Sequence, residues 1–191
     1  MENSEIKKET RKEKVKSSKT STVSWSLKIL FASFILSVFF NAMSETALPK
    51  VNVLTAFLIL FLFILLGIVF DIFGVATATA TEKTFHAMAA KRVPAAKQAL
   101  WLVKNAEKVS SFCNDVVGDI CGIMSGSTAT IIIATLPLEK TVDFIVSLAI
   151  GGLVAGVTVG GKAFGKGFAM SRNNQIVFFM ARIIRFFSRE R

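Results

Sequence analysis

Apolar runs, each about as long as a bilayer is thick, alternate along this chain with stretches rich in Lys, Arg, Ser and Thr. A membrane-spanning helix needs about 20 predominantly apolar residues. Residues 25–43 (WSLKILFASFILSVFFNAM), 51–76, 110–136 and 141–161 all meet that requirement. The pattern predicts an all-α integral membrane protein with four transmembrane helices. Residues 77–108 carry two shorter patterns, one over Glu82–Arg92 and one opened by Pro94, a residue suited to a helix's first turn. Leu100, Trp101 and Val103 give the second an apolar face, so the pair predicts a basic helical hairpin at the cytoplasmic interface. Residues 173–188 set Arg182 and Arg185 among apolar residues. They predict a C-terminal belt helix in the membrane interface, capped by Asn173 or Asn174. Residues 1–24 hold too few large apolar side chains to fold alone and predict a disordered basic cytoplasmic tail.

The third run, SSFCNDVVGDICGIMSGSTATIIIATL, is the least uniform. Its first half carries Ser111, Asn114, Asp115 and Asp119. An ionised carboxylate in hydrocarbon costs roughly 3 kcal/mol, so such groups face a cavity, a partner or a pathway. On an α-helix Ser111, Asp115 and Asp119 fall at i, i+4 and i+8 and form one stripe. Gly118, Gly122 and Gly126 beside it leave room for a neighbouring backbone or an ion. The stripe is either a polar site inside a helical bundle or a polar seam between helices. Asp71, near the end of the second run and flanked by Gly67 and Gly74, either joins that site or marks where the helix leaves the bilayer. The fourth run repeats glycine at 152, 156 and 160, a spacing that lets another helix approach closely.

Charge orients these elements. The net charge is +10, but the positive residues sit in blocks beside the apolar runs, which points to membrane orientation and anionic lipid rather than nucleic acid. With four spans, 21 of the 23 Lys and Arg fall on one side, the exceptions being Lys50 and Lys140. The positive-inside rule makes that side cytoplasmic, with both termini inside a cell inner (plasma) membrane. The first run is read as an uncleaved helix, since its charged flank is long and Asn41-Ala42-Met43 is a poor cleavage site. Cys113 and Cys121 lie in one span about 12 Å apart along a helix, too far to bond, and are read as buried thiols. The single histidine, His86, has no second ligand near it in sequence. No nucleophile–base pair, G-x-S-x-G or H-E-x-x-H is present. Gly160–Lys166 lacks the Ser/Thr and the preceding strand of a phosphate loop. No enzymatic activity is expected.

With the elements placed, residues 67–191 resemble the membrane domain of the CorB/CorC and cyclin M (CNNM) magnesium transporters. The segment Ala99-Leu100-Trp101-Leu102-Val103-Lys104-Asn105-Ala106-Glu107-Lys108 is similar to that family's ALxLLExPER stretch. Asn114, Asp115 and Asp119 sit where the family has a polar GNxxVN segment, and Lys162–Ala169 takes the place of ExxPKxxA. The resemblance implies a cytoplasmic hairpin, a belt helix, a homodimer and Mg²⁺ as the transported or bound ion. Two departures bear on that ion. Where the family's SxSETA motif ends the second span, this chain has Asp71-Ile72-Phe73-Gly74-Val75-Ala76, so Gly74 replaces a glutamate. Lys162 stands at the glutamate of ExxPK and inverts the local charge. Ser44-Glu45-Thr46-Ala47 spells SETA after the extra first span, on the outer side, and is read as chance. The family continues into paired nucleotide-sensing domains. None follows the belt helix here, so regulation by ATP through them is not expected.

Magnesium takes oxygen ligands in near-octahedral geometry and keeps several waters. Asp71, Ser111, Asn114, Asp115 and Asp119 are the oxygens these spans offer. The expected function is therefore divalent-cation (Mg²⁺) transport or homeostasis. The competing reading is a non-transporting membrane scaffold that keeps the fold and docks lipid or a cytoplasmic protein partner through its basic segments.

Overall fold

In the computed structural model, the residues described are 27, 29–42, 44–46, 52–135 and 140–188. The expected tail 1–24, Trp25, Pro49 and residues 136–139 lie outside them. All the regular structure among the described residues is helical, and four helices are long and apolar enough to cross a membrane: Ile29–Thr46 (α1), Val53–Thr79, Ala106–Ala134 and Phe144–Ser171. The chain divides into two compact units, Met1–Val38 and Phe39–Arg191. In the first, residues 29–38 are helical.

The second unit holds α2 (Val53–Thr79), α3 (Glu82–Ala90), α4 (Ala96–Lys104), α5 (Ala106–Ser111), a π-helical segment (Phe112–Gly118), α6 (Asp119–Ala134), α7 (Lys140–Ser171) and α8 (Asn173–Ser188). Helix α2 is the hub and packs against α5, the π segment, α6, α7 and α8. It starts at Asn52, whose side chain accepts from the Thr55 amide at 2.8 Å. It runs three residues beyond the expected end at Ala76. The Thr77 and Thr79 hydroxyls donate back to the Phe73 and Val75 carbonyls, each at 2.8 Å, so these residues stay helical without an unpaired hydroxyl.

Two apolar cores lie along α2. Ala56, Leu60 and Ile64 pack with Ala129 and Ile132 of α6 and Val154 of α7. Toward the other end, Ala76 joins Phe85 of α3, Ala99, Leu102 and Val103 of α4, Ala169 of α7, and Val177 and Ala181 of α8. Asn173 donates to the Thr79 carbonyl at 2.8 Å and Asn174 accepts from the Thr81 amide at 3.3 Å. The two asparagines therefore tie the start of α8 to the end of α2, from inside the helix rather than from the expected cap position before it.

Other boundaries differ from expectation for physical reasons. Pro94 does not open α4: the chain first passes through Ala95 at φ 70°, and the helix begins at Ala96. The hairpin does not run to Lys108. It breaks at Asn105 (φ −107°, ψ 27°), whose side-chain amide donates to the Trp101 carbonyl at 2.9 Å, and the third span starts at Ala106. The fourth helix does not end at Gly161. It continues to Ser171, 32 residues in all. At about 1.5 Å per residue that is about 48 Å, well beyond a hydrocarbon core of about 30 Å. What holds the extension is close packing, since Gly161 and Gly165 lie against Ile68 and Ile72 of α2.

Candidate functional site

Between the two apolar cores, three elements meet at polar groups. From α2 comes Asp71, 5% exposed, with Gly67 and Gly74 about one turn to either side. From the third span comes Asn114. Its Oδ1 fills the space a Cβ at Gly74 would need, so Gly74 is what admits the amide. From α7 comes Lys162, half-buried, whose Nζ donates to the Gly118 carbonyl at 3.4 Å. Gly67 allows the same approach lower down, where a Cβ would lie 3.2 Å from that of Cys121.

The π-helical segment sets which side chains arrive here. A π-helix closes i→i+5 bonds and shifts register within an α-helix, a device frequent at functional sites. Residues 112–118 adopt it, so the segment is not continuously α-helical as expected, although Ser111 and Asp115 still meet at i, i+4. Asn114 is the side chain turned to α2, while Asp115 and Asp119 are exposed. The Ser111 hydroxyl donates to Asp115 Oδ2 at 2.6 Å, pairing those two outside the junction. Of the five expected site residues, Asp71 and Asn114 are buried or half-buried at the α2 seam, Ser111 and Asp115 pair with each other, and Asp119 stands apart. Among the described residues no three of His, Cys, Asp and Glu gather into a group that could hold a metal ion.

The junction is rich in acceptors and short of donors. Asp71 Oδ2 and Asn114 Oδ1 are buried without a hydrogen-bond partner. The Asn114 amide nitrogen donates to Ser110 Oγ at 3.4 Å, which leaves its oxygen to be satisfied. A buried unpaired acceptor costs about 1–3 kcal/mol, more when charged. A cation, or a water held by one, removes that cost. Gly118 and Lys162 belong to this junction through the carbonyl contact, which no spacing rule in the sequence signals. Cys113 and Cys121 are buried free thiols, as expected.

Beside the junction, α6 and α7 leave a groove of about 420 Å³, lined by Gly122, Ser125, Gly126, Gly151, Val154 and Thr158 among others. A Cβ at Gly122, Gly126, Gly152, Gly156 or Gly160 would meet nothing within 4 Å. Among the described residues of the second unit, no helix packs closely on the glycine repeat of the fourth span.

Comparisons with protein-family models, with curated proteins and with solved structures found no match. The likeness to the CorB/CorC and CNNM transporters accordingly rests on the short motifs around Asp71, 99–108, 114–119 and 162–169 alone.

Proposed function

We propose that this chain is an integral membrane protein of the inner (plasma) membrane that binds a divalent cation, Mg²⁺, at the Asp71–Asn114 junction, and that it serves cation transport or homeostasis. The observation that carries the reading is the pair of buried, unpartnered oxygens, Asp71 Oδ2 and Asn114 Oδ1, contributed by two packed spans. One carboxylate and one amide oxygen are too few to strip Mg²⁺ of water, but they suit an ion that keeps most of its hydration shell. Asp71 lies about 27 Å along α2, eight residues before its end at Thr79.

The test is thermal unfolding of the detergent-purified chain with and without Mg²⁺, beside Asp71→Asn. A ligand that binds only the folded state, at 100 times its dissociation constant, adds about 2.7 kcal/mol. Wild type is expected to rise by about that much at saturating Mg²⁺, and Asp71→Asn is expected to show no rise. Equal rises in both proteins, or a rise matched by Na⁺ at equal ionic strength, would remove the ion from this junction.

A specific observation favours the scaffold reading: the Lys162 ammonium already stands at the Gly118 carbonyl. A fixed positive charge beside the site opposes a divalent ion. If no concentration of Mg²⁺ shifts unfolding, Lys162 is the junction's own cation, and the chain is a membrane scaffold with cytoplasmic protein partners.

Both readings place α3, α4 and α8 at the cytoplasmic membrane surface, with both termini inside, on the strength of the charge asymmetry. Both include a homodimer. Asp115 and Asp119 are exposed on a span, where lipid contact costs roughly 3 kcal/mol each, so a second copy or water must cover them. The open glycines of α7 offer that copy a close-approach surface. Gly156→Leu is expected to leave unfolding within about 0.5 kcal/mol of wild type in the isolated monomer but to abolish dimers in cross-linking or light scattering. Persistence of the dimer in Gly156→Leu would move the interface elsewhere.

A further inference from the structure

The tip of the hairpin is not built as a plain polar turn. Between α3 and α4 both Arg92 (φ 55°) and Ala95 (φ 70°) take left-handed backbone. Such conformations are costly for residues with a Cβ and persist where the surroundings impose them. Here they are imposed by turn bonds, from the Arg92 amide to the Ala89 carbonyl and from the Val93 amide to the Met88 carbonyl, both at 3.0 Å. Burial of Ala95 and Ala96 adds to the constraint. The turn, the start of α4 and α8 border an open pocket of about 600 Å³ whose lining includes the exposed Arg92, Lys97 and Arg185, with Gln98.

The chemistry of that cavity is one-sided. Its three cations come from three elements: the turn, the first turn of α4, and α8. No carboxylate lines it. Among the described residues no ion pair to Arg92, Lys97 or Arg185 is found. Helix α4, nine residues long, has no side-chain cap at Ala95, and its first-turn amides add positive dipole at the same place. Three exposed cations border one pocket, and an anion with several acceptor oxygens can engage more than one of them. Phosphate has both the charge and the oxygens, and guanidinium groups match it in bidentate fashion.

We propose that this cavity binds the phosphate of an anionic phospholipid headgroup. A lipid is favoured over a soluble phosphate by what surrounds Arg185. Phe186 and Phe187 are 78% and 77% exposed, and Ile183 and Ile184 beside them are also open. An apolar surface of that kind next to cations suits the boundary between headgroups and acyl chains. The inference rests on the reading that the hairpin and α8 lie at the membrane surface. It is independent of any ion at Asp71, so the failure of either leaves the other standing.

The experiment uses the full chain in a neutral detergent, with unfolding temperature and native mass spectrometry as parallel readouts. Dioleoyl phosphatidylglycerol, dioleoyl phosphatidylcholine and inorganic phosphate at matched ionic strength are added in turn. Phosphatidylglycerol is expected to raise the unfolding temperature and to remain bound in the mass spectrum, while the other two do neither. Lys97→Glu and Arg185→Glu are expected to weaken phosphatidylglycerol binding about tenfold or more. Lys104→Glu, the same charge change on α4 outside the cavity, is expected to leave it unchanged. Equal losses in Lys104→Glu would show diffuse attraction and overturn the site. An equal response to inorganic phosphate would overturn the lipid as the source. Lys97→Gln and Arg185→Gln keep the test decisive if a charge reversal prevents folding: full binding in both would overturn the proposal.

Discussion

Phe85→Ala is expected to lower stability by about 3–5 kcal/mol, the usual cost of emptying a fully buried aromatic position. Phe85 is completely buried, although it lies on a nine-residue helix whose neighbours Glu82 and His86 are exposed. It fills the core where α2, α4, α7 and α8 meet. The cluster around it mixes alanines (Ala76, Ala99, Ala169, Ala181) with Leu102, Val103 and Val177. How far the larger ones relax into the hole sets where in that range the cost falls. Chemical or thermal unfolding in detergent measures the loss. Hydrogen exchange should show α3 and α4 opening first, with α6 protected to the extent of wild type. A loss below about 1 kcal/mol would mean that the hairpin does not depend on this core.

Gly161→Leu is expected to cost at least about 3 kcal/mol, at or beyond the usual limit for overpacking. The Cβ alone collides with the Ile68 side chain of α2, and Leu adds three further carbons. Gly165 repeats the contact one turn on, where a Cβ would lie 2.8 Å from Ile72 Cγ1. The seam between α2 and α7 must open to accept either side chain. The consequence reaches the polar junction, because Lys162 adjoins Gly161 and its hold on the Gly118 carbonyl at 3.4 Å requires the seam closed. The check is thermal unfolding of Gly161→Leu beside Gly156→Leu, the same substitution on the open face of the same helix. Equal stability of the two variants would show that α7 does not pack on α2 through Gly161.

Much of the architecture is legible in the residue order. Apolar length alone locates the four long helices, because a run of that length has few soluble alternatives. Asn173 at the start of α8 and the two buried thiols follow from local chemistry. Asp71, Asn114 and the glycines beside them stand out as polar or small residues in apolar surroundings, and the structure brings Asn114 against Gly74.

What the residue order does not reveal is decided by contacts between distant segments. The π-helical register of 112–118 turns Asn114 toward α2 and leaves Asp115 and Asp119 open, because one extra residue per turn rotates every side chain before it. No composition rule marks that segment. Helix α7 passes through Gly161, Gly165 and Gly167 without ending, since Ile68 and Ile72, nearly a hundred residues away, make close packing worth more than the intrinsic cost of glycine. The sequence by itself thus determined the number of helices long and apolar enough to span a membrane, their polar residues and the asymmetry of the positive charge. Only the tertiary structure decided which oxygens face one junction, that the expected Lys162 reaches the Gly118 carbonyl there, and which basic residues border one pocket. Those three depend on helix rotation and close approach, which are set by packing rather than by hydrophobic length.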